Sequence, residues 1–463
     1  MNPLKWLPQN TFKWIALALI IRAVFFVYFT FEFQQNWLPE YIHYGFVIDH
    51  NDTFGYYIPL EMMAEGNGYG SICRMPGLVP IYYPIRLILP EEPTKAAIVV
   101  LQFLTSAVAV WALAFAAFKF SGSNKLFRIV FFITAISTFI SIWDHAAISD
   151  SFSISFLIFS IWGIAQFAST RSLKYALISG VFLTWSIFFR PAHILVFPAM
   201  AFIIWASYGL KWSAIPKTIL ASLILVSSFL VADLFWIKNN FEKKGEFIWL
   251  QAEDDDCFGS LPEYHVAVRD MIIQRGGDYQ EWSPNTELSW IIDGDSTTTF
   301  SFKEDFFTSH YPLDSLREMK KMYTKIYDST QTFEELETAK QTTIRLANAM
   351  AQEYRSERPA NYYVFNRLKL MRMFILSGHL DNLPLPSREK MTTLEFAVKA
   401  FFMLLLHLIV VLYLIATVRF LVARNWIMIG IALAPLTIIL VIGGVLGYAE
   451  QRYLTPAYPF MVV

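Results

Sequence analysis

The sequence predicts an all-α polytopic membrane protein. Of its 463 residues, 55% are hydrophobic and 16% charged, whereas an ordinary globular chain carries roughly 25% charged residues. Mean hydropathy is +0.42, and aromatic residues reach 17%, which suits a chain that meets lipid and its interfaces. Nine segments approach the roughly 20 apolar residues that a 30 Å hydrocarbon core requires at about 1.5 Å rise each. Such a composition excludes a disordered, collagenous or coiled-coil chain. Lys plus Arg number 37 and Asp plus Glu 38, so the net charge of −1 offers nothing to draw the chain to nucleic acid. Two cysteines, Cys73 and Cys257, are too few for a disulfide scaffold or a cysteine zinc site.

In chain order the predicted spans are 14–31, 96–118, 126–143, 152–168, 175–189, 194–208, 218–237, 396–418 and 426–447. The fifth and sixth are short and read as a hairpin, because only Arg190-Pro191-Ala192-His193 separates them. No small-residue cleavage site follows the first, so it reads as an uncleaved helix. A tenth apolar run starts at Pro456 and meets Val463 after eight residues. The sequence therefore predicts a chain cut there or a tail lying at the interface. Eleven Lys and Arg (Lys5, Lys13, Lys119, Lys125, Arg128, Arg171, Lys174, Lys211, Lys217, Arg419, Arg424) flank one set of span ends, against two, Arg190 and Arg452, in the alternate short loops. Positive residues stay inside. Residues 32–95 and 238–395 are therefore expected on the outer face. The predicted modules are 1–237, with seven spans and the outer loop 32–95, an extracytoplasmic segment 238–395, and C-terminal spans 396–463.

Within the first outer loop, 56–65 reads as a short surface helix and 66–70 as a glycine-rich turn. Leu78–Leu89 is apolar but too short to span and is interrupted by Pro80 and Pro84, which suggests an interfacial or re-entrant stretch. The long outer segment opens with an acidic run, Glu253–Asp256, and reads as helical from about 313 to 375, with breaks near Asp328 and Pro359.

Ionisable groups close to membrane depth are costly and mark function. On the predicted outer face they gather at four places: Asp49 and Asp52; Asp144, His145 and Asp150; Arg190 and His193; Glu450 and Arg452. Loops opening on one side of one bundle would bring carboxylates to face guanidinium groups beside lipid. A carboxylate can take a proton from an attacking hydroxyl, and arginine grips a phosphate with two parallel hydrogen bonds. That chemistry points to a phosphate-bearing lipid attacked by a hydroxyl.

The stretches Asp52-Thr53-Phe54-Gly55-Tyr56-Tyr57, Met63-Ala64-Glu65-Gly66-Asn67-Gly68-Tyr69-Gly70 and Arg74-Met75-Pro76-Gly77-Leu78-Val79-Pro80 follow one another in this loop. Arg22, Ser149-Asp150, Phe189-Arg190-Pro191 and Arg452-Tyr453-Leu454-Thr455-Pro456 complete an ordered set. Together they resemble the GT-C glycosyltransferases, among them the dolichyl-phosphate-mannose–protein mannosyltransferases and the bacterial lipid A aminoarabinose transferases. The resemblance covers most of residues 14–235, weakens through the outer segment and returns near 359–375 and 448–459. It implies a GT-C-like bundle of nine or ten spans in a bacterial plasma membrane, a polyprenyl-phosphate sugar donor, a hydroxyl acceptor on protein, lipid or glycan, and inversion at the anomeric carbon. The family's catalytic carboxylate maps onto Asp52, with Arg452, Arg190, Asp150, Tyr56, Tyr453 and Asp49 on substrate. No resident cofactor is implied beyond a divalent cation, which Asp150 would hold if the reaction needs a metal. Two departures stand out: Thr53 occupies a position that many protein mannosyltransferases fill with Glu, and Asp150 stands where many relatives have Glu.

Each residue also has a plainer reading. Asp52 can cap the helix after it, and Asp150 can cap its span. Asp49 reads as a solvated neighbour, Arg22 as structural, and Arg190 and Arg452 as snorkelling side chains. His407, alone in its span, reads as the donor or acceptor of an interhelical hydrogen bond. Asn51-Asp52-Thr53 fits a glycosylation sequon, read as a chance match because a glycan would block the site. Cys73 and Cys257 share the predicted outer face and are free to pair. Two rival classes remain: a transporter or flippase, against which stands the lack of repeated halves, and a polysaccharide polymerase or ligase with lipid-diphosphate donors.

Overall fold

The computed structural model describes residues 10–36, 38–49, 52–70, 73–251, 262–279, 286–292, 300–327, 330–376, 385, 390–447 and 451–463. Glu253–Asp256, Cys257 and Glu450 fall outside these. In chain order the helices are α1 (Thr11–Asn36), α2 (Thr53–Ala64), α3 (Val79–Arg86), α4 (Glu91–Ser121), α5 (Asn124–Ile136), α6 (Thr138–Ser141), α7 (Asp150–Thr170), α8 (Leu173–Phe189), α9 (Phe197–Ser207), α10 (Ile215–Lys244), α11 (Glu263–Gln274), α12 (Glu287–Ile292), α13 (Leu313–Ile326), α14 (Phe333–Glu357), α15 (Asn366–Leu376), α16 (Thr393–Val422), α17 (Trp426–Ile438) and α18 (Tyr458–Val462). One two-stranded hairpin, β1 (Ile42–His43) and β2 (Val47–Ile48), lies between α1 and α2.

Among the described residues, six helices are long and apolar enough to cross a membrane: α1, α4, α7, α10 with the turn before it, α16, and α17 with the π-helix Ile439–Leu446 that continues it. The pair 124–136 and 138–144, bent by 47° at Ser137, is either a seventh, broken span or a re-entrant loop. The sequence led us to expect an unbroken span there. Ser137 leaves the helical region (ψ 112°), and the chain restarts as α6 and a 3-10 turn. The two short apolar helices of the expected hairpin are present as α8 and the stretch 191–207, which opens as a 3-10 helix over Pro191–Val196, but α9 packs chiefly on α17, α10 and α7 rather than back along α8. At 17 residues α8 is about 25 Å long, just short of a full crossing. The chain is thus a multi-pass, overwhelmingly helical membrane protein.

The helices begin and stop where local chemistry dictates. Ser123 accepts from the Leu126 amide and caps α5. Thr332 with Glu335, and Thr392 with Glu395, form capping boxes at the starts of α14 and α16. Gly122, in the left-handed region, closes α4 by donating to Phe118 O at 2.7 Å. Pro80 and Pro84 do not interrupt the apolar stretch of the first loop, as the sequence suggested. Pro80 lies in the first turn of α3, where its missing N–H costs nothing, and the helix runs on through Pro84.

Two compact units emerge. The first comprises 1–259, 378–438 and 455–463. Here α7, α8 and α10 pack through small residues: a Cβ on Gly180 would meet Leu225 O at 2.1 Å, and the Ser160 and Ser179 hydroxyls are 3.0 Å apart. Arg22 of α1 is fully buried and lies 4.0 Å from Asp144, which accepts from Ser151 Oγ at 2.6 Å. Arg22 also donates to Thr134 O at 3.2 Å. Its structural reading holds. The C-terminal stretch is packed inside the first unit: Tyr458, Phe460 and Met461 are buried, α18 packs on α16 and α17, and the Tyr458 ring sits 5.4 Å from Phe139. His407 bonds Met403 O at 2.7 Å within its own helix, not across helices.

The second unit comprises 260–377 and 439–454. Its core gathers Val268, Met271, Ile272, Leu316, Met319, Tyr323, Ala347 and Met350 from α11, α13 and α14. Burial lowers the Arg275 guanidinium to about 10, and it donates to the Phe306 and Met350 carbonyls at 2.8 and 2.9 Å.

Candidate functional site

The site lies in the first unit, where the loop between α1 and α4 meets the ends of α7 and α8. That loop is fastened at several points. Ile48 bridges to Ala146, exchanging backbone bonds with His145 O and the Ala147 amide at 3.0 and 2.9 Å. Glu61 of α2 takes hydrogen bonds from Tyr82 and from Arg86 Nε of α3. Burial, followed by the bond to Glu61, pushes the Tyr82 hydroxyl far above its ordinary value, so it stays a donor. Gly77 sits flush on the end of α8: a Cβ there would fall 2.6 Å from Phe188 O, while Trp185 Nε1 donates to Gly77 O at 2.9 Å. The Phe189 carbonyl, one residue before Arg190, accepts from the Tyr56 and Ser149 hydroxyls at 3.4 and 3.1 Å.

These contacts fix four charged side chains. Asp52 precedes α2, yet its side chain does not cap the helix. Its Oδ1 instead accepts from Arg74 Nη2 at 3.0 Å, and its Oδ2 lies 3.9 Å from Arg190 Nη2. The same Arg190 nitrogen bonds Asp150 Oδ2. Asp150 opens α7 but is not its cap, which is Ser149. Tyr56 stands one turn after Asp52 on the same helix face. Its ring lies under both guanidinium groups, with centroid distances of 4.9 Å to Arg74 and 5.9 Å to Arg190. Tyr69 orients Arg74 by donating to its carbonyl at 2.8 Å; burial raises that phenol far above its usual value. Two carboxylates and two guanidinium groups balance in charge. Asp52, with 24% of its side chain exposed, is the open member; Asp150, at 4%, is sealed.

Of the residues the sequence singled out, Asp52, Tyr56, Asp150 and Arg190 converge. Arg74 was quoted only as part of a motif, and sequence reasoning gave it no role. Asp49 is not a solvated neighbour: it is 4% exposed, its amide donates to Tyr41 O, and its carboxylate meets His43 Nε2 at 3.0 Å and Lys95 Nζ at 3.5 Å. It belongs to a separate ion group with Glu91 and Glu92. Asp144 is committed to Arg22, His145 stacks on Phe26, and His193 is buried beside Ser153 and Ser186. Arg452 and Tyr453 are half-buried on a 3-10 turn of the second unit, packed near α15.

Asp150 Oδ2 is engaged by Arg190, so holding a cation would require giving up that pair. Among the described residues, one group of potential ligands has its atoms within 4.8 Å of one another: His310, Glu353 and Glu357. There both carboxylates already cap backbone amides, those of Ser309 and His310. Cys73, next to Arg74, is disulfide-bonded.

Gly77→Ala tests the seat of this loop. Overpacking against the α8 backbone is expected to cost about 1–3 kcal/mol. Thermal unfolding in detergent reads the loss; an unchanged midpoint would show that the loop does not depend on this contact. No family model, curated protein or solved structure matches the chain.

Proposed function

We propose that the chain is an inverting glycosyltransferase of GT-C type, which moves a sugar from a polyprenyl-phosphate donor to a hydroxyl acceptor with Asp52 as general base. One observation carries the reading: an accessible carboxylate flanked by two arginines above a tyrosine ring, beside apolar helices. The acceptor oxygen attacks the anomeric carbon opposite the phosphate. The carbon–oxygen bond to phosphate breaks, its electron pair leaves with the polyprenyl phosphate, and the acceptor proton passes to Asp52. Arg74 and Arg190 suit the phosphate's growing charge because guanidinium forks match its oxygens. Asp150 holds Arg190 in place.

Binding of a polyprenyl phosphate monosaccharide to the purified chain tests the donor side. Arg190→Lys keeps the charge and loses the fork, so affinity should fall about tenfold or more, since charge-assisted hydrogen bonds contribute roughly 1.5–3 kcal/mol each. Unchanged affinity removes Arg190 from the donor site.

The site is assigned to the extracytoplasmic face of a bacterial plasma membrane. Two features support this: the eleven-to-two bias of Lys and Arg, and a disulfide at Cys73, a bond that persists in oxidising compartments. An Asp314→Cys chain should react with a membrane-impermeant maleimide in intact cells. Reaction only after the membrane is opened reverses the assignment.

A further inference from the structure

The second unit contains a surface that neither its core nor the proposed reaction uses. Between α14 and α15 the chain makes one π-helical turn, Asn361–Phe365. From there a stripe of large apolar side chains faces outward: Val364, Phe365, Leu368 and Leu376 are 47–62% exposed. Val364, Leu368 and Leu376 recur at multiples of four, with exposed Arg372 in the same row, so they share one helix face. Arginines border the stripe. Arg355 lies 5.4 Å from the Tyr362 and Tyr363 ring centroids and donates to the Tyr363 hydroxyl at 2.7 Å. Arg367 also packs on the Tyr362 ring, at 5.5 Å. The nearest acids on α14, Glu353 and Glu357, point elsewhere, since both hold the backbone at 309–310.

The same unit shows what lies beside this face. Helix α15 runs along the π-helix Ile439–Leu446, the last part of the apolar span 426–446. Gly443 faces Phe374 and Met371, Arg367 donates to Val445 O at 3.2 Å, and Gly447 faces Arg367 and Leu370. As the span's numbers rise, those of α15 fall, so the two are antiparallel. Leu368 is therefore level with the end of the apolar span, Leu376 lies deeper, and Val364 lies about a turn beyond it. An apolar stripe at that level, bordered by arginines and tyrosines, has the make-up of an interfacial segment: its apolar face enters the acyl boundary while guanidinium groups reach the phosphates.

We propose that the stripe Val364–Leu368–Leu376 seats the second unit in the bilayer interface, with Arg355 and Arg372 on the phosphates of anionic phospholipids. This inference does not rest on the glycosyltransferase reading. The test uses the full chain in vesicles of mixed zwitterionic and anionic phospholipid, with a nitroxide label on a single introduced cysteine. Val364→Cys and Leu368→Cys should collide with oxygen and be shielded from a water-soluble nickel chelate, the latter more deeply. Glu334→Cys, exposed on α14, should show the reverse, with a several-fold lower oxygen-to-nickel ratio. Adding Arg355→Gln and Arg372→Gln should make the Leu368→Cys label shallower in anionic vesicles and leave it unmoved in purely zwitterionic ones. Nickel access at 364 and 368 equal to that at 334 would overturn the proposal. So would shielding from both reagents, which marks a protein neighbour.

Discussion

Asp52→Asn is expected to cut sugar transfer by about 10²–10⁴-fold, the usual contribution of a positioned general base. A hydroxyl is a poor nucleophile while it keeps its proton, and an amide cannot take that proton. In the proposed reaction the leaving group is a phosphate and departs readily, so the protein's remaining work would be position and charge stabilisation. Asparagine keeps the shape and still offers an oxygen to Arg74, which now bonds Asp52 at 3.0 Å. Fold and donor binding should survive, so the loss should fall on turnover. Asp49→Asn provides the contrast: Asp49 is buried against Lys95 and His43, and its replacement should act through stability before catalysis. Near-normal transfer by Asp52→Asn, measured with a polyprenyl phosphate sugar and a competent acceptor, removes Asp52 as the base.

The largest stability effect is expected at Arg22. Both it and Asp144 are buried within the first unit, and removing one partner of such a pair typically costs about 3–5 kcal/mol because the other charge is stranded. Arg22→Met should therefore lower stability sharply in mixed-micelle unfolding. Arg22→Met with Asp144→Leu should recover much of the loss, since two apolar side chains strand no charge and leave only the Ser151 hydroxyl and the Thr134 carbonyl short of a partner each. If the single variant matches the parent, the 4.0 Å contact contributes no stabilisation. If the double variant is no better than the single, the loss comes from packing and not from a stranded charge.

The spans were legible because long apolar runs leave little choice of structure. The bend at Ser137 was not: no proline or glycine marks it, and Ser137 breaks the helix by taking an extended ψ that composition does not reveal. Asp52, Asp150 and Arg190 were legible as one group because sidedness places their loops together. Arg74 was not, because a lone arginine in a polar loop looks like any solvated one. The clue was its neighbourhood, between a cysteine and a Pro-Gly turn that must sit against something. Asp144 was assigned to the outer charge cluster, although Arg22, an unmatched cation inside the first span, required a partner at comparable depth. Asp49 was misread as solvated because burial by a hairpin and by Lys95 is a tertiary event.

The fastening of the first loop changes what kind of object it is. Surface loops ordinarily open with little cost, and lids are drawn from such weakly held segments. This one is bonded to the Phe189 carbonyl by Tyr56, bridged to Ala146 by Ile48, and clamped at Gly77 by Trp185. Its lowest-energy opening must break several buried contacts together. If the proposed donor binds here, it would meet contacts that already stand, and little of its binding energy would go into making them. On that reading, selectivity would rest on the fixed positions of Asp52, Tyr56, Arg74 and Arg190 rather than on the loop's yielding to each ligand.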